Sequence, residues 1–126
     1  MFCVKEKSVK LTEVMKSKFI AILIPLDDDS LFKDILKDLK VEYKKAKHYC
    51  YAYRVGMKSK SNDDGEPSGT AGRPLLELLL KRDINNAALI VVRYFGGVKL
   101  GASRLLRTYV QAGVNVINDA NLIEMN

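Results

Sequence analysis

Tryptophan is absent, histidine occurs once and cysteine twice in this chain of 126 residues. Two thiols, Cys3 and Cys50, cannot build the disulfide framework of a small secreted scaffold, so a reducing, cytoplasmic setting is the expectation. Together with His48 they fall short of the roughly four ligands of a structural zinc site. Any histidine-based catalytic pair has to pass through His48, whose spacing puts it on the same side of a strand as Cys50. The longest apolar runs, Phe19 to Pro25 and Ala87 to Val92, stay far below the about 20 residues of a membrane span. Lys5, Glu6 and Lys7 occupy the place where a secretory signal needs apolar residues.

What remains is the composition of an ordinary globular domain, 48% hydrophobic and 29% charged, at a length suited to one domain over residues 1–126. Lysine plus arginine total 21 against 15 acidic residues, a net charge of +6 that favours polyanionic partners. The surplus is confined to residues 1–60, with fourteen basic and eight acidic side chains; residues 61–126 hold seven of each. Lysine predominates, and lysine is a point charge rather than a planar fork, so contacts to nucleic acid would go mainly to backbone phosphates. A solvated, lysine-rich face needs no more than the same residues.

Periodicity predicts the order ββαβαβα. Val4 to Leu11 and Lys18 to Ile24 read as strands, the second stopped by Pro25. Leu31, Phe32, Ile35, Leu36 and Leu39 make one helical stripe behind the cap candidates Asp27 to Ser30. Lys47 to Gly56, with Tyr49, Tyr51, Tyr53 and Val55, is a third strand, and Ser59 to Gly72 reads as a long loop. Pro74 fits the first turn of a leucine-rich helix ending near Arg82. Ala87 to Tyr94, apolar at consecutive positions, predicts a strand buried on both faces. Leu105, Tyr109, Val110, Gly113, Val116 and Ile117 mark a last helix from Ala102 to about Asn118. The class is α+β, a sheet with helices packed against it.

Two glycine-rich segments carry the candidate chemistry. Asp63-Asp64-Gly65-Glu66-Pro67-Ser68-Gly69-Thr70-Ala71-Gly72-Arg73 precedes a helix. Its freed amides suit an anion, and its three carboxylates suit a hard cation such as magnesium. A self-capped loop uses the same residues. The second segment, Phe95-Gly96-Gly97-Val98-Lys99-Leu100-Gly101-Ala102-Ser103-Arg104, turns an apolar strand into a helix. It nearly spells a phosphate-binding loop from Gly96 to Ser103, but Ala102 stands where that loop needs lysine, which excludes nucleotide hydrolysis of that kind.

The acidic-glycine loop with its leucine helix from Asp63, Val91-Val92-Arg93-Tyr94-Phe95-Gly96-Gly97, and Leu100-Gly101-Ala102 opening the last helix occur in the order and spacing of the IMPACT/YigZ family. Lys16 to Leu23 and His48 to Val55 add to the likeness, and the chain is identified as a member. The resemblance implies a two-layer α+β fold like the second domain of ribosomal protein S5, with helices on one face. It also implies a link to translation or stress regulation. It covers a single-domain form, without the ferredoxin-like second domain of bacterial relatives or the extra amino-terminal domain of eukaryotic ones. Ser103 and Arg104 stand where Gly-Gly is common in the family.

The leading expectation is a binding module without catalytic residues or cofactor. Ser68, Gly69, Thr70, Gly72, Arg73, Arg93, Gly96, Gly97, Lys99, Gly101 and Arg104 line one concave face for an RNA phosphate, a ribosome-associated partner or an acidic protein. Lys44, Lys45 and Lys47 offer a further docking surface for an acidic partner. The alternative is a small metal-assisted hydrolase, with Asp63, Asp64 and Glu66 holding magnesium and His48 as acid or base.

Overall fold

The consecutive apolar run from Ala87 to Val92 has side chains on both faces of its strand, so it needs cover above and below. The computed structural model, which describes residues 1–125, supplies both covers. The chain runs β1 (Phe2–Val4), β2 (Ser8–Val14), β3 (Ser17–Pro25), a 3₁₀ turn (Asp29–Leu31), α1 (Phe32–Glu42), β4 (His48–Val55) and β5 (Lys58–Asn62). It continues through α2 (Gly72–Lys81), β6 (Ala87–Tyr94), α3 (Ala102–Asp119) and β7 (Leu122–Glu124). Five strands form one antiparallel sheet in the order β2-β3-β6-β4-β5, and β1 pairs with β7 in a small second sheet.

The α+β class holds, and three details differ from expectation. The segment from Val4 to Leu11 is not one strand: β1 ends at Val4 and β2 begins at Ser8. The stretch from Ser59 is not all loop, because Lys58–Asn62 returns along β4 as an edge strand after a two-residue turn at Gly56 and Met57. Its polar Lys-Ser-Lys-Ser-Asn sequence suits a solvated edge and gives no apolar alternation to detect. The helices also lie on both faces rather than one, making three layers. Phe19, Ala21, Leu23, Cys50, Ala52, Leu89 and Val91 pack beneath α2 and α3. Ile22, Tyr51, Tyr53, Ala88, Ile90 and Val92 pack beneath Phe32 and Leu39 of α1.

Register places the site. Arg93, near the end of β6, pairs with Phe19 of β3 on one side and with His48 of β4 on the other. Direct cross-strand partners share a face, so Phe19, Arg93 and His48 form one row on the side of α2 and α3. Tyr109 of α3, fully buried, meets Phe19 edge-on with ring centroids 5.2 Å apart.

Candidate functional site

The acidic loop is held by its own carboxylates. Asp63 accepts the Ala71 and Gly72 amides on Oδ1, at 3.1 and 2.8 Å, and the Gly69 amide on Oδ2 at 2.9 Å. Thr70 donates its hydroxyl and its amide to the Pro67 carbonyl at 2.6 and 3.1 Å. The expectation that the amides at Gly69, Thr70 and Gly72 await an anion is therefore corrected: Asp63, nine residues before the start of α2, takes those of Gly69 and Gly72, and the Pro67 carbonyl takes that of Thr70. Gly72 is required for a second reason. A Cβ there would lie 2.5 Å from the Asn62 backbone, where the start of α2 crosses the end of β5. Ser68 and Arg73 are exposed; Arg73 meets Glu77 at 3.4 Å, and with Gly69 it lines a separate groove of ≈450 Å³ between α2 and α3.

The other two acidic residues are equally committed. Asp64 accepts the Tyr49 amide on Oδ2 at 2.7 Å, latching the loop to the start of β4. Glu66 is buried, and its Oε2 accepts from Arg93 Nη1 at 2.7 Å and from the Tyr109 hydroxyl at 2.5 Å. Three carboxylates adjacent in sequence thus point to three different jobs, and no cluster of three His, Cys, Asp or Glu able to hold a metal occurs among the described residues.

His48 is oriented by the same loop. Its Nδ1 lies 2.7 Å from the Asp64 carbonyl, which can only accept, so the ring proton sits on Nδ1. The neutral ring then shows a lone pair on Nε2 to Glu66 Oε1 at 3.3 Å; that approach becomes a hydrogen bond when Nε2 also carries a proton. Cys50, below His48 on the same face, is fully buried, with Sγ 3.1 Å from the Asp63 carbonyl and 3.3 Å from the Tyr109 hydroxyl. Burial pushes its thiol far above the ordinary range, against the lowering effect of Tyr109. It is no thiolate nucleophile. The Tyr109 phenol is also driven up, first by burial and then by Cys50 and Glu66.

The second glycine segment is built differently. Gly96 passes so close to the Lys16–Ser17 backbone that no Cβ fits, and its amide donates to Ser17 Oγ at 3.1 Å. Beyond it, Gly101 is the N-cap of α3 and offers no side chain, and the first helical bond runs from the Leu105 amide to the Gly101 carbonyl. The amides of Ala102, Ser103 and Arg104 therefore open the helix without a side-chain cap, carrying the positive end of an 18-residue dipole.

Of these residues Ala102, with Gly101 before it, lines a cavity of ≈460 Å³ where the two loops meet. Gly101, Ala102 and Lys99 come from the second loop and α3, Glu66 and Pro67 from the first, and Lys47 and His48 from the entry to β4. Phe95, Leu100 and Leu105 give it apolar walls, and Arg93 closes the row. The Arg93 side chain is 6% exposed and its Nε–H has no hydrogen-bond partner. Of the expected anion-binding residues, Arg93, Lys99 and Gly101 line this cavity; Ser68, Gly69, Thr70, Gly72, Arg73, Gly96, Gly97 and Arg104 do not. Lys47, Phe95 and Tyr109 were missing from that set. Tyr109 is hidden in the apolar stripe of α3, whereas Phe95, next to the only arginine of an apolar strand, carries a usable signal.

The fold and site define a class: a small α+β domain with an electropositive, partly apolar cavity at an uncapped helix start. The chain belongs to the IMPACT family, whose Impact N-terminal domain model matches residues 15–117. It is 39% identical over 126 residues to the IMPACT family member YvyE of Bacillus subtilis, covering 98% of this chain and 58% of that protein. It is 37% identical over 108 residues to the IMPACT family member YigZ of Escherichia coli, covering 82% and 52%. A crystal structure described as that of a hypothetical protein superposes with a TM-score of 0.93 at 28% identity, over 97% of this chain and 62% of the other. The two-domain translational regulator Yih1 shares the fold at a TM-score of 0.53 and 22% identity, over 94% and 47%. The chain thus spans a little over half the length of these two bacterial relatives. No helix among the described residues is long and apolar enough to cross a membrane.

Proposed function

We propose that this domain is a translation-related binding module that acts in the cytoplasm and seats an RNA phosphate at the amino end of α3. One observation carries the reading: the uncapped start of α3, at Gly101 and Ala102, lines a cavity that also presents Lys47 and Lys99. Helix amino ends with free amides are natural anion seats, and two lysines add charge without imposing base recognition. The surplus of basic residues in the first half of the chain supports attraction to a polyanion. Support for the translational context comes from kinship with Protein IMPACT of Xenopus laevis, 36% identical over 98 residues, and from the regulator Yih1.

The test is fluorescence anisotropy of labelled RNA across a salt series. Binding through phosphates weakens steeply as salt rises, with a log–log slope of about −0.7 per phosphate contacted on a single strand. Lys99→Ala and Lys47→Ala should each weaken binding and flatten that slope. Absence of RNA binding at low salt, or affinity indifferent to salt, removes the reading. Preferential capture of an acidic peptide such as poly-glutamate would transfer the cavity to a protein partner.

A further inference from the structure

We infer that the cavity receives one unstacked nucleotide of single-stranded RNA, its phosphate at the start of α3 and its base on the open face of Phe95; this rests on the phosphate-seat reading above. Phe95 is 50% exposed and lines the same cavity as Gly101 and Ala102 at the start of α3. An isolated exposed aromatic is unremarkable on a protein surface, but this one completes a stack. The Arg93 guanidinium carbon lies 5.3 Å from the Phe19 ring centroid and 5.8 Å from that of Phe95. Phe19 is itself fixed edge-on against Tyr109. A column of aromatic, cation, aromatic therefore runs from buried Phe19 through buried Arg93 to a ring that is half exposed.

Two features make the column a platform. Glu66 takes the Nη1 end of Arg93, Ser17 Oγ stands at 3.5 Å from Nη2, and the buried Nε–H on the cavity wall is unpartnered. The arginine that backs the ring is thus held through its Nη groups, while its buried Nε–H is left without a protein acceptor. Apolar Leu100 and Leu105 line the same space, giving a base an edge to pack against. Stacking requires a base free of its own neighbours, which a duplex does not offer, and every base has a π-face, so the site should be sequence-tolerant.

The chain has no tryptophan, so Phe95→Trp introduces a single reporter. The probes are a fluorescein-labelled single-stranded oligoadenylate, a blunt RNA duplex of equal length, and inorganic phosphate. Single-strand affinity should exceed duplex affinity. Phe95→Ala should cost about tenfold on the single strand, leaving the salt slope and the thermal midpoint near wild type, and Phe95→Tyr should restore affinity. Emission from Phe95→Trp should be quenched by the single strand and unchanged by phosphate alone. Salt-dependent RNA binding that ignores Phe95→Ala, or equal affinity for duplex and single strand, overturns the stacking inference while leaving the phosphate seat standing. Failure of the wild type to bind any RNA at low salt removes both.

Discussion

Replacing Glu66 by glutamine isolates one effect. The carboxylate is 3% exposed and lies 2.7 Å from an Arg93 guanidinium that is 6% exposed. Glutamine keeps the volume and an acceptor for both Arg93 Nη1 and the Tyr109 hydroxyl, so packing and hydrogen bonds persist and only the negative charge is lost. Taking one partner from a buried ion pair leaves an uncompensated charge and costs about 3–5 kcal/mol. Retained hydrogen bonds place Glu66→Gln at the low end, about 3 kcal/mol. For a domain of this size that corresponds to a fall of roughly 12 °C in Tm. Urea denaturation followed by circular dichroism, on Glu66→Gln, Arg93→Met and the double variant, closes a double-mutant cycle. The double variant removes the orphaned cation, so its cost should fall at least about 1 kcal/mol short of the sum of the singles. A Glu66→Gln protein within about 0.5 kcal/mol of wild type, or strictly additive singles, would refute the view that the Glu66–Arg93 pair organises the cavity floor.

Asp63→Ala frees the amides of Gly69, Ala71 and Gly72 at once and should cost about 2 kcal/mol in urea denaturation, with Asp63→Asn milder; a neutral Asp63→Ala would mean those bonds are idle. Gly96→Ala must push the Lys16–Ser17 backbone aside and should lose about 1–3 kcal/mol, visible as a lower urea midpoint; an unchanged midpoint contradicts the close approach. Cys50 and Tyr109 are both raised by burial, so the fold keeps their protons where the unfolded chain sheds them. The native state then binds more protons at alkaline pH, and stability should fall above about pH 9 by up to about 1.4 kcal/mol per pH unit per group. Cys50→Ala should soften that alkaline limb in urea midpoints taken at pH 8 to 10.5, and an identical limb would sink the assignment.

The elements with strong apolar periodicity were legible: β3, β4, β6 and all three helices fall within a few residues of where the pattern puts them. What stayed hidden lacks a local signal. Lys58–Asn62 is a strand only because Tyr51 to Val55 lies beside it, and the three-residue β1 and β7 join the two ends of the chain. A helical stripe reads the same whichever sheet face it covers, so the place of α1 required the register. The apolar run at Ala87 to Val92, which demands cover on both sides, already argued against helices on one face.

For the site, composition marked both loops but could not assign their donors. An aspartate ahead of a helix reads alike as a ligand for a cation, a neighbour of a bound anion, or a cap for its own chain. Asp63 proves to be the third, because its carboxylate accepts the amides of Gly69, Ala71 and Gly72 within 3.1 Å. Gly101, with no side chain to turn back on α3, leaves the opposite outcome at the second loop.

That contrast is open to direct measurement by amide chemical shifts in a ¹⁵N-labelled sample titrated with a short single-stranded RNA. The account predicts shifts at Ala102, Ser103 and Arg104 that saturate together, while Gly69, Ala71 and Gly72 stay still. Shifts confined to residues 69–72, or none at the start of α3, would contradict it.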